Sequence, residues 1–385
     1  MQMDRTVRAL VSAADSEGLP FALWRDPGGQ AFRAMISTAA PAPRPIFSGG
    51  PAQPFFAMAR FDAPAPDKAD AIAGDIVAGP EGVLFHEGAR RTSAPANAIQ
   101  SRLANATGGG PVRGRSGGVP PQTGQADYEQ LVRSTVEEIE QGPCRKIVLS
   151  RAEARKLAPG TDLLDLACAL AERYPTAFVA LVSSMRTGTW LVATPESLLS
   201  LAEGTARTMA LAGTQWPAPD TDPATLDWPD KIVEEQGLVA KFVREAFAGC
   251  GIEGLEETGP RTVRAGPLCH LRSDFAAALP AQGRAAALSG LLSALHPTPA
   301  VCGMPRAHAM AFLRASEGYD RGYYTGYLGP VGLNGRTDLY VNLRSARIIG
   351  DTACLFVGGG IVSRSDPELE WQETVQKTRV LGAVL

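Results

Sequence analysis

The chain has 385 residues, 45% of them hydrophobic, which is the composition of a globular protein with a substantial core in one large domain or two and excludes a disordered chain. Its 37 Lys and Arg stand against 40 Asp and Glu, a formal net charge of -3, so there is no general basic field to attract nucleic acid, and an anionic ligand must be bound locally. Six cysteines without a C-x-x-C, and four histidines that do not cluster with them at ligand spacing, argue against structural zinc and for reduced, buried thiols.

The N-terminal stretch "MQMDRTVRALVSAADSEG" has no apolar h-region, and no apolar run is long enough to span a bilayer, so the expectation is a cytoplasmic protein with no membrane partner. "PFALWRD", "PFFAMARFD" and "GVLFH" read as a meander of short strands over the first hundred residues. Residues 106–126, "ATGGGPVRGRSGGVPPQTGQA", have the composition of a flexible loop or linker whose arginines serve solubility. Beyond it come the amphipathic helix "DYEQLVRSTVEEIEQG", the strand "CRKIVLSRAEARKL", the helix "TDLLDLACALAERYP" and the strands in "TAFVALVSS", "TWLVATPESLLSLAEG" and "ARTMALAGTQW". A long helix starts near Trp228, two more follow in "GRAAALSGLLSAL" and "PRAHAMAFLRAS", and the end is β-rich with hairpin-like turns before a final helix. Strands mostly meet strands, which predicts an α+β fold of large, mainly antiparallel sheets.

Several positions admit both a plain and a chemical reading. Lys146, on an otherwise apolar strand, either snorkels at the strand end or is a buried amine able to act as a base. Glu196, in "ATPESLLS", is an exposed turn residue or a buried carboxyl with the raised pKa of a general acid. Gly213 and Thr214 form an ordinary turn or hold a carboxylate through backbone and hydroxyl, and Glu234 and Glu235 are surface charges or, less commonly, metal ligands. "LHPTPAVCGMP", with His296, must make a fixed loop that either lines a site or simply joins two helices. Arg344 reads as a mid-strand arginine in an apolar setting near Tyr323 and Tyr324, in need of a planar carboxylate from the protein or a ligand.

The last stretch, "GGGIVSRSDPELEWQETVQK", sets glycines before a helix capped by Asp366 with Pro367 at its first position. Glu370, Glu373 and Lys377 share one face of that helix, as a solvated surface with an i,i+4 pair or as the wall of a site. The glycines do not make a dinucleotide fingerprint, because no third glycine follows at the right spacing and too few residues remain for a βαβ unit. Close backbone approach to a ligand is the better account.

Taken in order, "KIVLSR", "ATPESLL", "LAGT", the helix with Glu234 and Glu235, "HPTPAVCGMP", "YYTGYLG", "VNLRSAR" and the closing stretch resemble the chorismate-binding enzymes, and more closely the isochorismate synthases. The likeness covers roughly residues 127–385, and the first third fits loosely. It implies a sandwich of large antiparallel sheets with helices outside, in which residues 1–126 are a β-rich part integrated into the same fold and 127–385 are the catalytic core.

The resemblance also implies an isomerase that converts chorismate reversibly to isochorismate, with water attacking C2 and the C4 hydroxyl leaving, in a menaquinone or siderophore pathway. Lys146 would be the base and Glu196 the acid. Glu235 and Glu373 would ligate Mg2+, with Glu370 nearby through water. Tyr324, Arg344 and the backbone at Gly359 and Gly360 would hold the enolpyruvyl carboxylate. Gly213, Thr214 and Lys377 would approach the ring carboxylate, and His296 would line the ring pocket.

Lysine at 146, where anthranilate-forming relatives carry glutamine, points to water as nucleophile, and Ala212 closes the route through a nucleophilic lysine. No amidotransferase subunit is then required, and a monomer or weak homo-oligomer is expected. The alternative is a salicylate synthase, which goes on to eliminate pyruvate; a third reading is a non-catalytic chorismate-binding homologue, which would have lost the base, the acid or the carboxylates. Gln236 and Gln215 depart from the usual pattern of the family.

Overall fold

The computed structural model describes all residues except 1, 49–51, 96, 108, 219, 266 and 267, with the side chains of 231 and 265 also outside the description. Among the described residues the strands form two sheets. The first has eleven, in the order β16 (Gly303–Met304), β9 (Lys146–Lys156), β20 (Thr352–Ile361), β19 (Ser345–Ile349), β11 (Gly188–Thr194), β10 (Phe178–Ser184), β1 (Phe21–Arg25), β2 (Arg33–Ile36), β6 (Ile76–Gly79), β7 (Gly82–Glu87) and β8 (Arg90–Thr92). The second has nine, in the order β14 (Glu256–Ala265), β15 (Leu268–Ala278), β13 (Thr205–Gln215), β12 (Ser197–Ala202), β18 (Thr337–Val341), β17 (Tyr327–Val331), β4 (Phe55–Ala59), β5 (Lys68–Ala73) and β3 (Ala42–Pro45). The pairings within both sheets are antiparallel.

The sheets pack face to face, and helices cover the outer faces. Side-chain alternation shows it: in β1, Phe21 and Leu23 point out to a cluster with α1 (Arg5–Ser16) and α4 (Leu163–Arg173), while Ala22 and Trp24 point in. In β4 of the other sheet, Phe55 and Ala57 point out, and Phe56 and Met58 meet Trp24 and Phe178 in the middle layer. Strands buried on both faces read as continuous apolar runs, which explains "FVALVSS". Each large side chain so enclosed contributes about 1.5–3 kcal/mol of transfer free energy.

Besides α1 and α4, α2 (Ala98–Ala104) covers the first sheet, and α5 (Asp230–Gly249) and α6 (Arg284–Leu295) cover the second. α3 (Gln125–Gln141) and α7 (Arg306–Ser316) close the β9 edge in a separate cluster. α8 (Pro367–Gly382) packs on β20 and α3; Asp366 caps it through the Leu369 N–H at 3.0 Å, with Pro367 at its start, as the turn chemistry predicts. No described helix is long and apolar enough to cross a membrane.

Two readings need correction. α1, capped by Asp4, stands where only a meander was expected. The glycine-rich segment is no free linker but a strap laid on the first sheet. Val112 in it is buried, Arg115 Nε donates to Ser183 Oγ at 2.9 Å, and a Cβ at Gly114 would meet Ile348 Cγ2 at 2.6 Å. Glycine here permits close approach to the strands, which composition alone does not distinguish from flexibility.

Candidate active site

Glu196 and Arg344 occupy two of the places where the chain passes between sheets. β11 of the first sheet leads through Pro195 and Glu196 into β12 of the second, and β18 of the second leads through residues 342–344 into β19 of the first. The crossings lie side by side: the Ala193 N–H donates to the Arg344 carbonyl and the Val341 N–H to the Glu196 carbonyl, each at 3.0 Å. Arg344 is therefore not mid-strand. It takes a left-handed backbone, φ 47°, at a cost of about 1–3 kcal/mol. Two strands of different sheets abut there, and hydropathy cannot mark the break.

A cavity of about 410 Å³ opens beside these crossings. From the first sheet come Lys146, at the start of β9, and Gly360, near the end of β20. The second sheet contributes Ala212, Gly213 and Thr214 from β13 and His270 from β15, and the helices contribute Glu235 from α5 with Glu373 and Lys377 from α8. Two glycines make this convergence possible. A Cβ at Gly360 would stand 2.7 Å from Lys146 Cε, and one at Gly213, φ 65°, would stand 2.5 Å from Ile232 and 2.7 Å from Trp228.

The charges are arranged unequally. Lys146 Nζ meets Glu235 Oε2 at 3.0 Å, while Lys377 Nζ holds Glu373 at 2.5 Å and donates to the Gly358 carbonyl at 2.8 Å. Burial pushes the Glu196 carboxyl up to about 7, against the opposing pull of Lys146 and Arg344, so at neutral pH a large share of it carries a proton. Burial also lowers the pKa of Arg344, yet a guanidinium stays charged, and its Nη1 is shut from solvent with no hydrogen-bond partner. An unneutralised cation beside a protonated acid suits an anionic ligand.

His270 was not singled out from the sequence. Its Nδ1 lies 2.7 Å from the Gly213 carbonyl, which fixes the proton there, and burial pushes the imidazole down to about 4. Nε2 is left as an acceptor without a partner. The stretch around it had no assignment, although "CHLRSDF" alternates as a strand does, and a lone histidine on such a strand carries no local signal of function.

Four expected site residues do not line the cavity. His296 is buried, 3.1 Å from the Arg60 carbonyl through Nε2, with its ring edge-on to Tyr327; Ala300, from the same loop, faces the cavity instead. Tyr324 lies in a turn before β17, not in the hairpin, with its ring stacked on Phe356 at 5.2 Å. Strand alternation turns Gly359 away from the face of Gly360, so a Cβ there would lie 3.1 Å from Glu370 Oε2. Glu370 is buried and accepts from Ser365 Oγ at 2.6 Å. The departing glutamines have their own partners: Gln236 donates to Ser273 Oγ and Gln215 to the Asp227 carbonyl, each at 2.8 Å.

Among the described residues no group of three or more His, Cys, Asp and Glu side chains is gathered closely enough to hold a metal ion. Glu235 and Glu373 nonetheless face one cavity from two helices, each with a lysine Nζ against it. An all-oxygen pair of carboxylates with open space for water fits a hard divalent cation.

The family model for chorismate-binding enzymes matches residues 114–385. The chain belongs to that family. Within it, the chain is 34% identical over 284 residues to the salicylate biosynthesis isochorismate synthase of Pseudomonas aeruginosa, covering 72% of this chain and 58% of that one. It is 30% identical over 271 residues to the isochorismate synthase MenF of Escherichia coli, covering 69% and 61%. The matches thus span about three-fifths of those relatives' length. Anthranilate synthase component 1 of Streptomyces coelicolor is 33% identical over 311 residues, covering 78% of this chain and 58% of that protein, so overall identity does not select a product. The solved structure of Escherichia coli MenF superposes with a TM-score of 0.79 at 22% identity, over 100% of this chain and 92% of that one. Anthranilate synthase component I of Streptococcus pneumoniae gives 0.66 at 18%, over 94% and 89%. The chorismate-binding fold is therefore shared along the whole chain.

Proposed function

We propose that the protein is an isochorismate synthase. The observation that carries this reading is the presence, in one cavity, of Lys146 and of a buried Glu196 that holds its proton near neutrality. Lys146 Nζ, acting as the neutral amine, takes a proton from the water that attacks C2; Glu196 gives its proton to the C4 hydroxyl, which leaves as water. One water enters and one departs, so substrate and product are isomers. Arg344, with its free Nη1, pairs with the enolpyruvyl carboxylate, and Gly360 allows the chain to lie close. Gly213, Thr214 and Lys377 approach the ring carboxylate, and His270 Nε2 accepts a hydrogen bond from a substrate hydroxyl.

Glu235 and Glu373 would hold a magnesium ion, which when bound neutralises the ring carboxylate. Glu370, Gly359, Tyr324 and His296 do not line the cavity and are given supporting positions rather than contacts with the ring. Ala212 on the cavity wall offers no nucleophile for an amine-forming route, which supports water as the attacking group and a chain that acts without an amidotransferase.

The test is to incubate the purified protein with chorismate and magnesium and separate the products by chromatography. Isochorismate in reversible equilibrium with chorismate is expected. Salicylate with pyruvate would replace this reading by the lyase, and an absence of turnover would remove the enzymatic reading altogether.

A further inference from the structure

The strap left unused by the catalytic reading walls a second cavity, of about 340 Å³, a volume within the usual range of small-molecule sites. Gly118, Pro120 and Pro121 form one side. The floor is aromatic: Phe356 stacks with Trp190 at 5.5 Å and 23°, and with Tyr319 at 6.0 Å and 27°. Phe356 also stacks on Tyr324, so this aromatic layer separates the cavity from the Arg344 side of the molecule.

Two of the arginines lining it are occupied: Arg60 holds Asp320, and Arg186 holds Asp70. A third, Arg321, is buried and paired with Glu317 at 2.5 Å. Arg347 differs. It projects from β19, is half-buried, and would lie 3.2 Å from a Cβ at Gly188 and 3.4 Å from one at Gly117, so strand and strap confine it closely. Among the described residues its guanidinium makes no hydrogen bond and no ion pair at contact distance, although Asp320 of the same cavity lies within its electrostatic reach. A confined guanidinium next to the half-buried Tyr319 ring, itself stacked on the buried Phe356, matches a flat ring with a carboxylate, the group that a guanidinium binds in bidentate fashion.

We propose that the cavity between the strap and β19–β20 is a second ligand site, separate from the catalytic cavity, which binds a planar aromatic carboxylate. The ring lies against Phe356 and Tyr319, and the carboxylate pairs with Arg347. Benzoate is the simplest probe. In equilibrium dialysis of labelled benzoate against the full chain, we expect saturable binding that weakens about tenfold or more in Arg347→Gln. Arg347→Lys should lie between, since it keeps the charge without the planar fork. Arg344→Gln should leave this component unchanged. Cyclohexanecarboxylate, with the same charge and no aromatic ring, should bind several-fold more weakly.

Melting curves of the Arg347 variants should match the parent, because that side chain holds nothing in place. Four results would overturn the proposal. These are an absence of saturable binding up to about 10 mM, binding untouched by either Arg347 change, binding removed by Arg344→Gln alone, and equal binding of the cyclohexane analogue.

Discussion

Arg25, in the amino-terminal third, and Arg344, in the carboxyl-terminal part, both carry a guanidinium that burial disfavours. Arg25 donates to the carbonyls of Tyr174, Pro175 and Ala177 at 2.8, 2.9 and 2.7 Å, at the C-terminal end of α4, where a helix leaves carbonyls unsatisfied and favours a cation. Arg344 lines the cavity, and its buried Nη1 has nothing to bind. The first is an internal strut, and the second is the receptor in the proposed reaction. The same contrast separates the regions: β1 and β4 help to build the two sheets, yet the residues lining the cavity beside Glu196 all lie at or beyond Lys146. Packing is shared along the chain, and chemistry is not.

The largest effects should fall on the receptor side. Glu196→Gln and Lys146→Ala should each lower kcat by about 10²–10⁴-fold, measured by product formation, with the melting temperature little changed. Trp24→Ala should do the reverse. Removing that fully buried ring should cost about 3–5 kcal/mol in denaturant unfolding while the folded fraction keeps its kcat. If Trp24→Ala lowered kcat as well, the division between strut and receptor would fail.

Gly213→Ala lies on the boundary between the two. Its methyl would press on Ile232 and Trp228 and its φ is left-handed, so a loss of about 1–3 kcal/mol is expected together with a raised KM as α5 shifts. The pH profile carries a further, graded effect. The carboxyl of Glu196 is raised by burial, so its proton is present below about 7 and lost above it. Turnover should therefore fall as pH rises through about 7, by about tenfold per unit at the limit. A flat alkaline limb would show that Glu196 is not the acid.

How much of this was legible depended on the scale of the signal. Apolar runs and caps located β9, α5 and α8, while the residues at 146, 196, 235 and 373 each admitted a plain reading and were joined into one site only by the resemblance of their motifs to a family. What the sequence could not show was where strands change sheet. Arg344 looks mid-strand because "LYV" and "ARII" are both apolar, and only the fold puts a crossing between them. His296 is an unusual residue in an unusual loop, yet it is Ala300 of that loop that faces the cavity. His270 escaped notice for the opposite reason, as its neighbours look ordinary. Gly359 and Gly360 differ by strand parity alone, which depends on the register with β9.

The central claim is that Lys146 and Glu196 exchange a solvent water for the C4 hydroxyl. It is tested most directly by running the reaction with magnesium in ¹⁸O-labelled water and weighing the product by mass spectrometry. Isochorismate carrying one solvent oxygen at C2 is expected from the parent protein and not from Lys146→Ala. Isochorismate without label would mean that the hydroxyl migrates within the substrate, and would contradict the assignment of base and acid.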